Sequence, residues 1–253
     1  MFKTGLVSIT FGNLNTDEII DLVTKAGLDG IEWGAKGHVP HGDINNALDV
    51  GRKTRDAGIN VASYGSYYRI NETTDFSFDD VLETAKALGT ELIRVWAGHK
   101  SSADADETYW NEVAEEGRLI ADKAQAEGIK IATEWHGGSL TDTAEAATQL
   151  FDMVNHDNCC TYWQPREYTA PEKCLQDMNA ALPRLAAIHV FNWDVETKEK
   201  LPLKEAKEAW KQYFRKAQKA GDMYAMLEFV RDSDPEQFLQ DAKTLKELTA
   251  SVI

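Results

Sequence analysis

Polar and apolar positions along this chain follow two periods that replace one another in strict order. Stretches such as DEIIDLVTKA, FDDVLETAKAL, EEGRLIADKAQA, TAEAATQLFDMV and PEQFLQDAKTLKEL repeat apolar residues at i, i+3 and i+4, which predicts amphipathic helices. Short apolar runs rich in β-branched and aromatic residues lie between the helical stretches, as expected of strands buried on both faces. Five helix-to-strand transitions pass through a glycine, in AGLDGIEW at Gly27, AGINVASY at Gly58, LGTELIRVW at Gly89, EGIKIATEW at Gly128 and AGDMYAMLEF at Gly221. A glycine there ends a helix in the left-handed conformation without steric penalty.

With the runs that lack the glycine, strands are predicted near residues 5–10, 29–33, 59–64, 91–96, 129–134, 159–164, 185–190 and 224–229. Strand and helix alternate throughout, which implies right-handed parallel crossovers, and eight such units in 253 residues are what a closed (β/α)8 TIM barrel requires. A doubly wound open sheet would place a glycine-rich phosphate turn after its first strand, whereas SITFGNLNTDE has one glycine and no GxGxxG. No linker or break in composition divides the chain, so one barrel domain over residues 1–253 is expected.

Composition narrows the function classes. With 43% hydrophobic and 27% charged residues and a mean hydropathy of -0.44, the balance is that of a globular protein. Acidic residues outnumber basic ones 42 to 27, and a formal charge of -15 repels phosphodiester backbones and anionic membrane surfaces. Neither a nucleic-acid nor a membrane partner is expected. The segment MFKTGLVSITFG lacks the long apolar region and following small residues of a secretory leader, and no apolar run approaches the roughly 18 residues of a spanning helix, so a cytoplasmic location is expected. Cys159, Cys160 and Cys174 are odd in number and lack CxxC spacing, which reads as reduced thiols rather than a disulfide or zinc framework. The acidic surplus in ADADETYWNEVAEEGR reads as a solvated helix face, and no feature fixes an interface for a homo-oligomer.

A TIM barrel builds its active site at the C-terminal ends of its strands. There the chain offers Thr10 and Phe11; Glu32 and Trp33; Tyr64; Arg94 and Trp96; Glu134, Trp135 and His136; Trp163 and Gln164; His189, Asn192, Trp193 and Asp194; and Glu228 and Arg231. Five of the seven tryptophans fall in this set. Aromatic rings around a polar centre suit a sugar, which presents C–H faces and hydroxyls together; the alternative is that the rings plug the barrel mouth. Glu134, His189 and Glu228 end the otherwise apolar runs IKIATE, LAAIH and YAMLE. A carboxylate in such a place must be solvated, paired or metal-bound, and two Glu with one His are suitable ligands for Mn²⁺, Co²⁺, Zn²⁺ or Mg²⁺.

These residues resemble the sugar phosphate isomerase/epimerase family of the xylose isomerase-like TIM barrel superfamily, which also holds endonuclease IV-type enzymes. The resemblance runs from GLVSITFGNLNTDEIIDLVTKAGLDGIEWG to DAKTLKEL, with EWHGGSLTDT, HVFNWD and MLEFVRD as the motifs of the fifth, seventh and eighth strands. It implies metal ligands at Glu134, His189 and Glu228, with Glu134 and Glu228 also the acid/base pair. The sixth strand departs from the pattern: where the family usually has an Asp, CCTYWQPREY puts Gln164 at or near the ligand position. A glutamine binds a hard cation through a neutral carbonyl oxygen; alternatively Gln164 bonds substrate and no metal is kept.

The implied reaction is proton transfer beside a carbonyl, giving an epimer or an aldose/ketose interconversion of a small sugar or sugar acid. Trp33, Tyr64, Trp96, His136, Trp163, Asn192 and Arg231 are the substrate-binding candidates, and His38 and His41 weaker ones. Arg94 either holds substrate or forms an internal ion pair with Glu32 or Glu134. GHKSSAD is a poor phosphate loop, which favours an unphosphorylated substrate. Two other readings stand: a dehydratase of a cyclic keto acid, because IRVWAGHKSSAD is similar to part of the 3-dehydroshikimate dehydratases, and a non-catalytic carbohydrate-binding barrel. An endonuclease is disfavoured by the -15 charge and by only six scattered His.

Overall fold

The computed structural model describes residues 1–166 and 169–252. Eight parallel strands close into a barrel in sequence order: β1 (Phe2–Val7), β2 (Gly30–Gly34), β3 (Asn60–Arg69), β4 (Leu92–Trp96), β5 (Lys130–Glu134), β6 (Cys159–Trp163), β7 (Leu185–Val190) and β8 (Met223–Leu227). The ring closes through a regular pair, in which Phe2 to Leu6 of β1 lie beside Met223 to Leu227 of β8. Helices α1 (Thr16–Ala26), α2 (Ile44–Asp56), α3 (Phe78–Leu88), α4 (Glu107–Ala126), α5 (Ala144–Val154), α6 (Pro171–Ala181), α7 (Lys207–Ala217) and α8 (Pro235–Ala250) cover the outside. This is the expected (β/α)8 architecture. Among the described residues no helix is long and apolar enough to cross a membrane. All three cysteines are free, with Cys159 and Cys174 buried.

Several expected strand limits shift, two of them for visible local reasons. The first strand ends at Val7, because Ser8–Phe11 tightens into a 3₁₀ turn. The third runs on to Arg69, because Gly65 pairs with Arg94 and Tyr68 with Val95, so that Ser66 and Tyr67 bulge from the ladder. Gly27 and Gly89 are the left-handed C-caps of α1 and α3, whereas Gly221, at φ 109° and ψ -157°, adopts another conformation.

Alternation along each strand sorts the side chains into two layers. Ile31, Ile93, Val95, Ile131 and Ile188 face outward and pack in the large core beneath the helices. Val7, Ala62, Ala132, Tyr162, Ala187 and Met226 form a separate cluster within the ring. Gly5 and Gly30 also belong to this narrow interior, since a Cβ on Gly5 would stand 2.8 Å from the Gly30 carbonyl oxygen and one on Gly30 would stand 2.7 Å from the Tyr224 ring. The same inward parity then sets Glu32, Arg94, Glu134 and His189 one step nearer the C-terminal mouth. Small residues below therefore make room for a polar layer above.

Gly51 shows how closely the outer layer is fitted. A Cβ there would stand 2.2 Å from the Leu88 carbonyl oxygen at the end of α3, an oxygen that accepts a hydrogen bond from Arg55 Nη1 at 3.0 Å. Alanine would add about 1 kcal/mol of helix propensity, but overpacking at such a contact costs typically about 1–3 kcal/mol and also disturbs that bond. Gly51→Ala is expected to be net destabilising, seen as a lower urea midpoint with an unchanged slope; an equal or higher midpoint would contradict this packing.

Candidate active site at the C-terminal mouth

Arg94, on β4, is 2% exposed and lies between two carboxylates. Its Nε donates to Glu32 Oε1 at 2.8 Å, and its Nη1 donates to Glu134 Oε2. Glu32 Oε2 also accepts from Ser63 Oγ at 2.8 Å. Gly65 is what admits this arrangement, because a Cβ there would fall 2.8 Å from Glu32 Oε1 and 2.9 Å from Arg94 Nη2. Both ion-pair options for Arg94 are thus realised together, although the guanidinium also lines the cavity described below.

His189 is fully buried, and its two ring nitrogens face different partners. Nδ1 lies 3.1 Å from Gln164 Oε1, 3.3 Å from Glu228 Oε2 and 3.6 Å from Glu134 Oε1, while Nε2 lies 3.5 Å from Glu32 Oε2. The Gln164 amide is fixed by its other end, since Nε2 donates to the Trp135 carbonyl at 3.0 Å and so leaves Oε1 facing the cluster. Two buried polar atoms here, His189 Nε2 and Glu228 Oε2, have no hydrogen-bond partner.

Burial alone would raise the carboxyl pKa values, but neighbouring charge outweighs it. Arg94 and His189 hold Glu32 well below the usual carboxylate range and bring Glu134 down to about 2. Burial would lower the pKa of His189, yet Glu228 and Glu32 raise it well above its usual value. Three buried carboxylates against one guanidinium leave a deficit of two positive charges, and one divalent cation would cancel it with the imidazole neutral.

The donor set fits such an ion. Ligand atoms of Glu134, His189 and Glu228 all lie within 4.8 Å of one another. Donors bound at about 2.1 Å to one cation stand roughly 3.0–3.4 Å apart at adjacent vertices, and the distances from Nδ1 to the three oxygens are close to that spacing. Gln164 belongs to this set geometrically, as a neutral oxygen where a further carboxylate would overcharge the site.

Above the cluster opens a cavity of about 590 Å³, lined among others by Tyr67, Trp96, Trp135, Trp193, Phe191 and Phe229, with Lys36, Arg166 and Asp142 among its polar groups. His136 also lines it, stacked on Trp96 at 4.2 Å between centroids. The structure therefore brings Glu134, Gln164, His189, Glu228, Arg94, Trp96 and His136 together.

Other expected contacts lie elsewhere, and strand parity accounts for most of them. Trp33 and Trp163 stand one residue beyond the inward-facing Glu32 and Tyr162, so both rings turn out beneath the helices. Trp33 Nε1 donates to Thr54 Oγ1 at 3.1 Å, and Trp163 packs against Tyr213 at 5.0 Å. Tyr64 precedes the inward Gly65 and donates its hydroxyl to the Val39 carbonyl at 2.9 Å. Asn192 donates to the Pro202 carbonyl at 3.0 Å and lines a smaller adjoining pocket, while Arg231 bonds Gln237 Oε1 at 3.1 Å. His38 is bonded to the Leu14 carbonyl and His41 is stacked on Phe76, neither of them lining the cavity.

Sequence reasoning missed Tyr67, Lys36, Arg166 and Phe229. Tyr67 and Phe229 hold left-handed backbone at φ 57° and 54°, a conformation found where surrounding structure over-determines a residue. Arg94 lies 5.0 Å from the Tyr67 ring centroid, and burial pushes the Tyr67 phenol up to about 12.

A family model described as xylose isomerase-like TIM barrel matches residues 20–248. The chain belongs to that family. The 3-dehydroshikimate dehydratase of Bacillus anthracis is 25% identical over 169 residues, which is 62% of this chain and 59% of that protein. The match therefore spans less than two thirds of the relative's length. Among solved structures, a probable 3-DHS dehydratase of Bacillus anthracis superposes with a TM-score of 0.80 at 18% identity, covering 97% of this chain and 99% of that one. The D-psicose 3-epimerase of Clostridium cellulolyticum H10, solved with D-tagatose, gives 0.71 at 17% identity with 99% of each chain covered. A xylose isomerase-like TIM barrel protein of Mycobacterium smegmatis, solved with magnesium, gives 0.75 at 15% identity, covering 100% of this chain and 98% of that one. At these identities the likeness shows the shared fold.

The purified protein is expected to take up one divalent ion per chain, measured by elemental analysis after reconstitution with Mn²⁺ or Mg²⁺. At an ion concentration a hundred times Kd, stability should rise by about 2.7 kcal/mol, and chelator should reverse the rise. An unfolding midpoint indifferent to every divalent ion would contradict the charge argument.

Proposed function

We propose that the protein is a divalent-metal-dependent sugar isomerase or epimerase that moves a proton beside the carbonyl of a small polyhydroxylated substrate. The observation that carries this reading is the buried set of Glu134, Gln164, His189 and Glu228 at the floor of an aromatic-walled cavity. These four would hold the ion, which when bound supplies Lewis-acid stabilisation of negative charge on a carbonyl oxygen.

The chain's own residues divide the remaining work. Glu228 lines the cavity and is not engaged by Arg94, so it is the carboxylate able to take a proton from a substrate carbon, through the oxygen that would not face the ion. Glu134 is held ionised and oriented by Arg94, which lowers its basicity. It returns a proton only where the substrate brings its carbon to the Glu134 side. Trp96, Trp135 and Trp193 exclude water and offer faces for C–H stacking, while His136 and Lys36 reach polar substituents.

One observation favours a second reading. Because Arg94 engages Glu134, one carboxylate is freer than the other, and a dehydratase needs one base and a departing β-hydroxyl rather than two equivalent bases. The 25% identical relative is a 3-dehydroshikimate dehydratase, which agrees with that chemistry.

Both readings share proton abstraction, so one experiment separates them. The metal-loaded enzyme, incubated in deuterated water with a panel of ketoses and with 3-dehydroshikimate, is expected to incorporate deuterium beside the carbonyl of a ketose without loss of water. Loss of water would establish the lyase, and binding without exchange would establish a non-catalytic barrel. Glu228→Gln should reduce exchange by at least about 10³-fold, within the range general base removal gives, while circular dichroism stays unchanged. Near-native exchange in that variant would reject Glu228 as the base.

A further inference from the structure

Glu32 has no place in the proton transfer just described, yet it is the most deeply enclosed carboxylate of the mouth, at 0% exposure. It comes from β2, on the opposite side of His189 from the ligand set. Its Oε1 accepts from Arg94 Nε, and its Oε2 accepts from Ser63 Oγ while lying 3.5 Å from His189 Nε2. That nitrogen is buried and has no other polar partner among the described residues. Nδ1 of the same ring faces Gln164, Glu134 and Glu228.

We propose that Glu32 is a positioning residue that, with Arg94, orients the ligand set from behind. Resting on the metal-site reading above, it assigns His189 as an Nδ1 ligand whose Nε2–H points to Glu32. A metal-bound imidazole commonly gives its second N–H to a carboxylate, which fixes ring orientation and strengthens its donor nitrogen. Here the same carboxylate also engages Arg94, whose Nη1 bonds Glu134. One buried chain, Ser63–Glu32–Arg94–Glu134 with His189 beside it, thereby orients two ligands contributed by β5 and β7. Because Glu32 does not line the cavity, it acts through these partners and not on substrate.

The test is Mn²⁺ affinity by titration calorimetry on the whole protein, compared across Glu32→Gln, Glu32→Ala and Ser63→Ala. Loss of such a partner costs about 10–100-fold in metal affinity. Glu32→Ala is expected at the upper end and Glu32→Gln, which keeps an acceptor oxygen, nearer 10-fold. Ser63→Ala changes no charge and only loosens Glu32, so a loss of a few-fold there separates positioning from plain charge removal and serves if the Glu32 variants fold poorly. The zinc-loaded protein with ¹⁵N-histidine should show His189 ligated through Nδ1 with Nε2 protonated, a signature that a merely structural role would not require. Unchanged affinity in all three variants, or ligation through Nε2, would overturn the proposal. A wild-type chain that binds no ion would instead overturn the metal-site reading itself.

Discussion

The mouth of this barrel is governed by one electrostatic constraint. Glu32, Glu134 and Glu228 are almost wholly removed from water, and among the described residues Arg94 is the sole guanidinium paired with them. Removing a carboxylate from water costs several kcal/mol unless it is paired, so two of the three are secured by one arginine. The third, together with the neutral amide of Gln164 and the ring of His189, is left facing a gap that positive charge would fill. An arginine held between two carboxylates is not available to substrate in the way a free one is. Lys36 and His136 are the other basic side chains that line the cavity beside the aromatic walls, whereas Arg166 is itself paired with Asp177.

That constraint reaches into the backbone. The pair of Arg94 with Glu32 requires Gly65, since any Cβ would collide with both partners. Just beyond, Ser66 and Tyr67 leave the β3–β4 ladder, and Tyr67 takes a left-handed conformation beside the Arg94 guanidinium. A bulge at this point turns a ring into the cavity that regular pleating would have placed differently. On the far side Phe229 does the same after β8. Two strained residues flanking one cavity indicate walls shaped by neighbouring structure rather than by local preference.

Much of the fold was legible because periodicity alone distinguishes its elements. IKIATE, LIRVW and LAAIHV read as strands, and their inward positions are the ones that carry Glu134, Arg94 and His189. What the strand-end argument lacked was parity. Trp33 and Trp163 end their strands as plainly as Trp96 does, yet only Trp96 shares the inward phase of its neighbour two residues earlier, Arg94. Had alternation been counted from Glu32, Trp33 would have fallen on the outer face. Tyr67 and Phe229 were beyond such counting, because a bulge and a left-handed residue break the period on which it depends.

Gln164 shows the same logic at the level of charge. Against a family pattern with Asp at this place, a neutral amide looks like a weakened site when the ligand residues are considered alone. Glu32 adds a buried negative charge that the ligand set does not include, and Arg94 cancels it. Arg94 offsets only one of the carboxylates it touches. With an Asp in place of Gln164, four carboxylates would oppose one arginine and one divalent ion, leaving a net negative charge in a site with almost no solvent exposure. With Gln164 the charges of the mouth cancel when one divalent ion is bound. Because the enclosed Glu32–Arg94 pair is neutral as a unit, the charge of the mouth is set by Glu134, Glu228 and the residue on β6, and a neutral Gln164 there matches two carboxylates to one divalent ion.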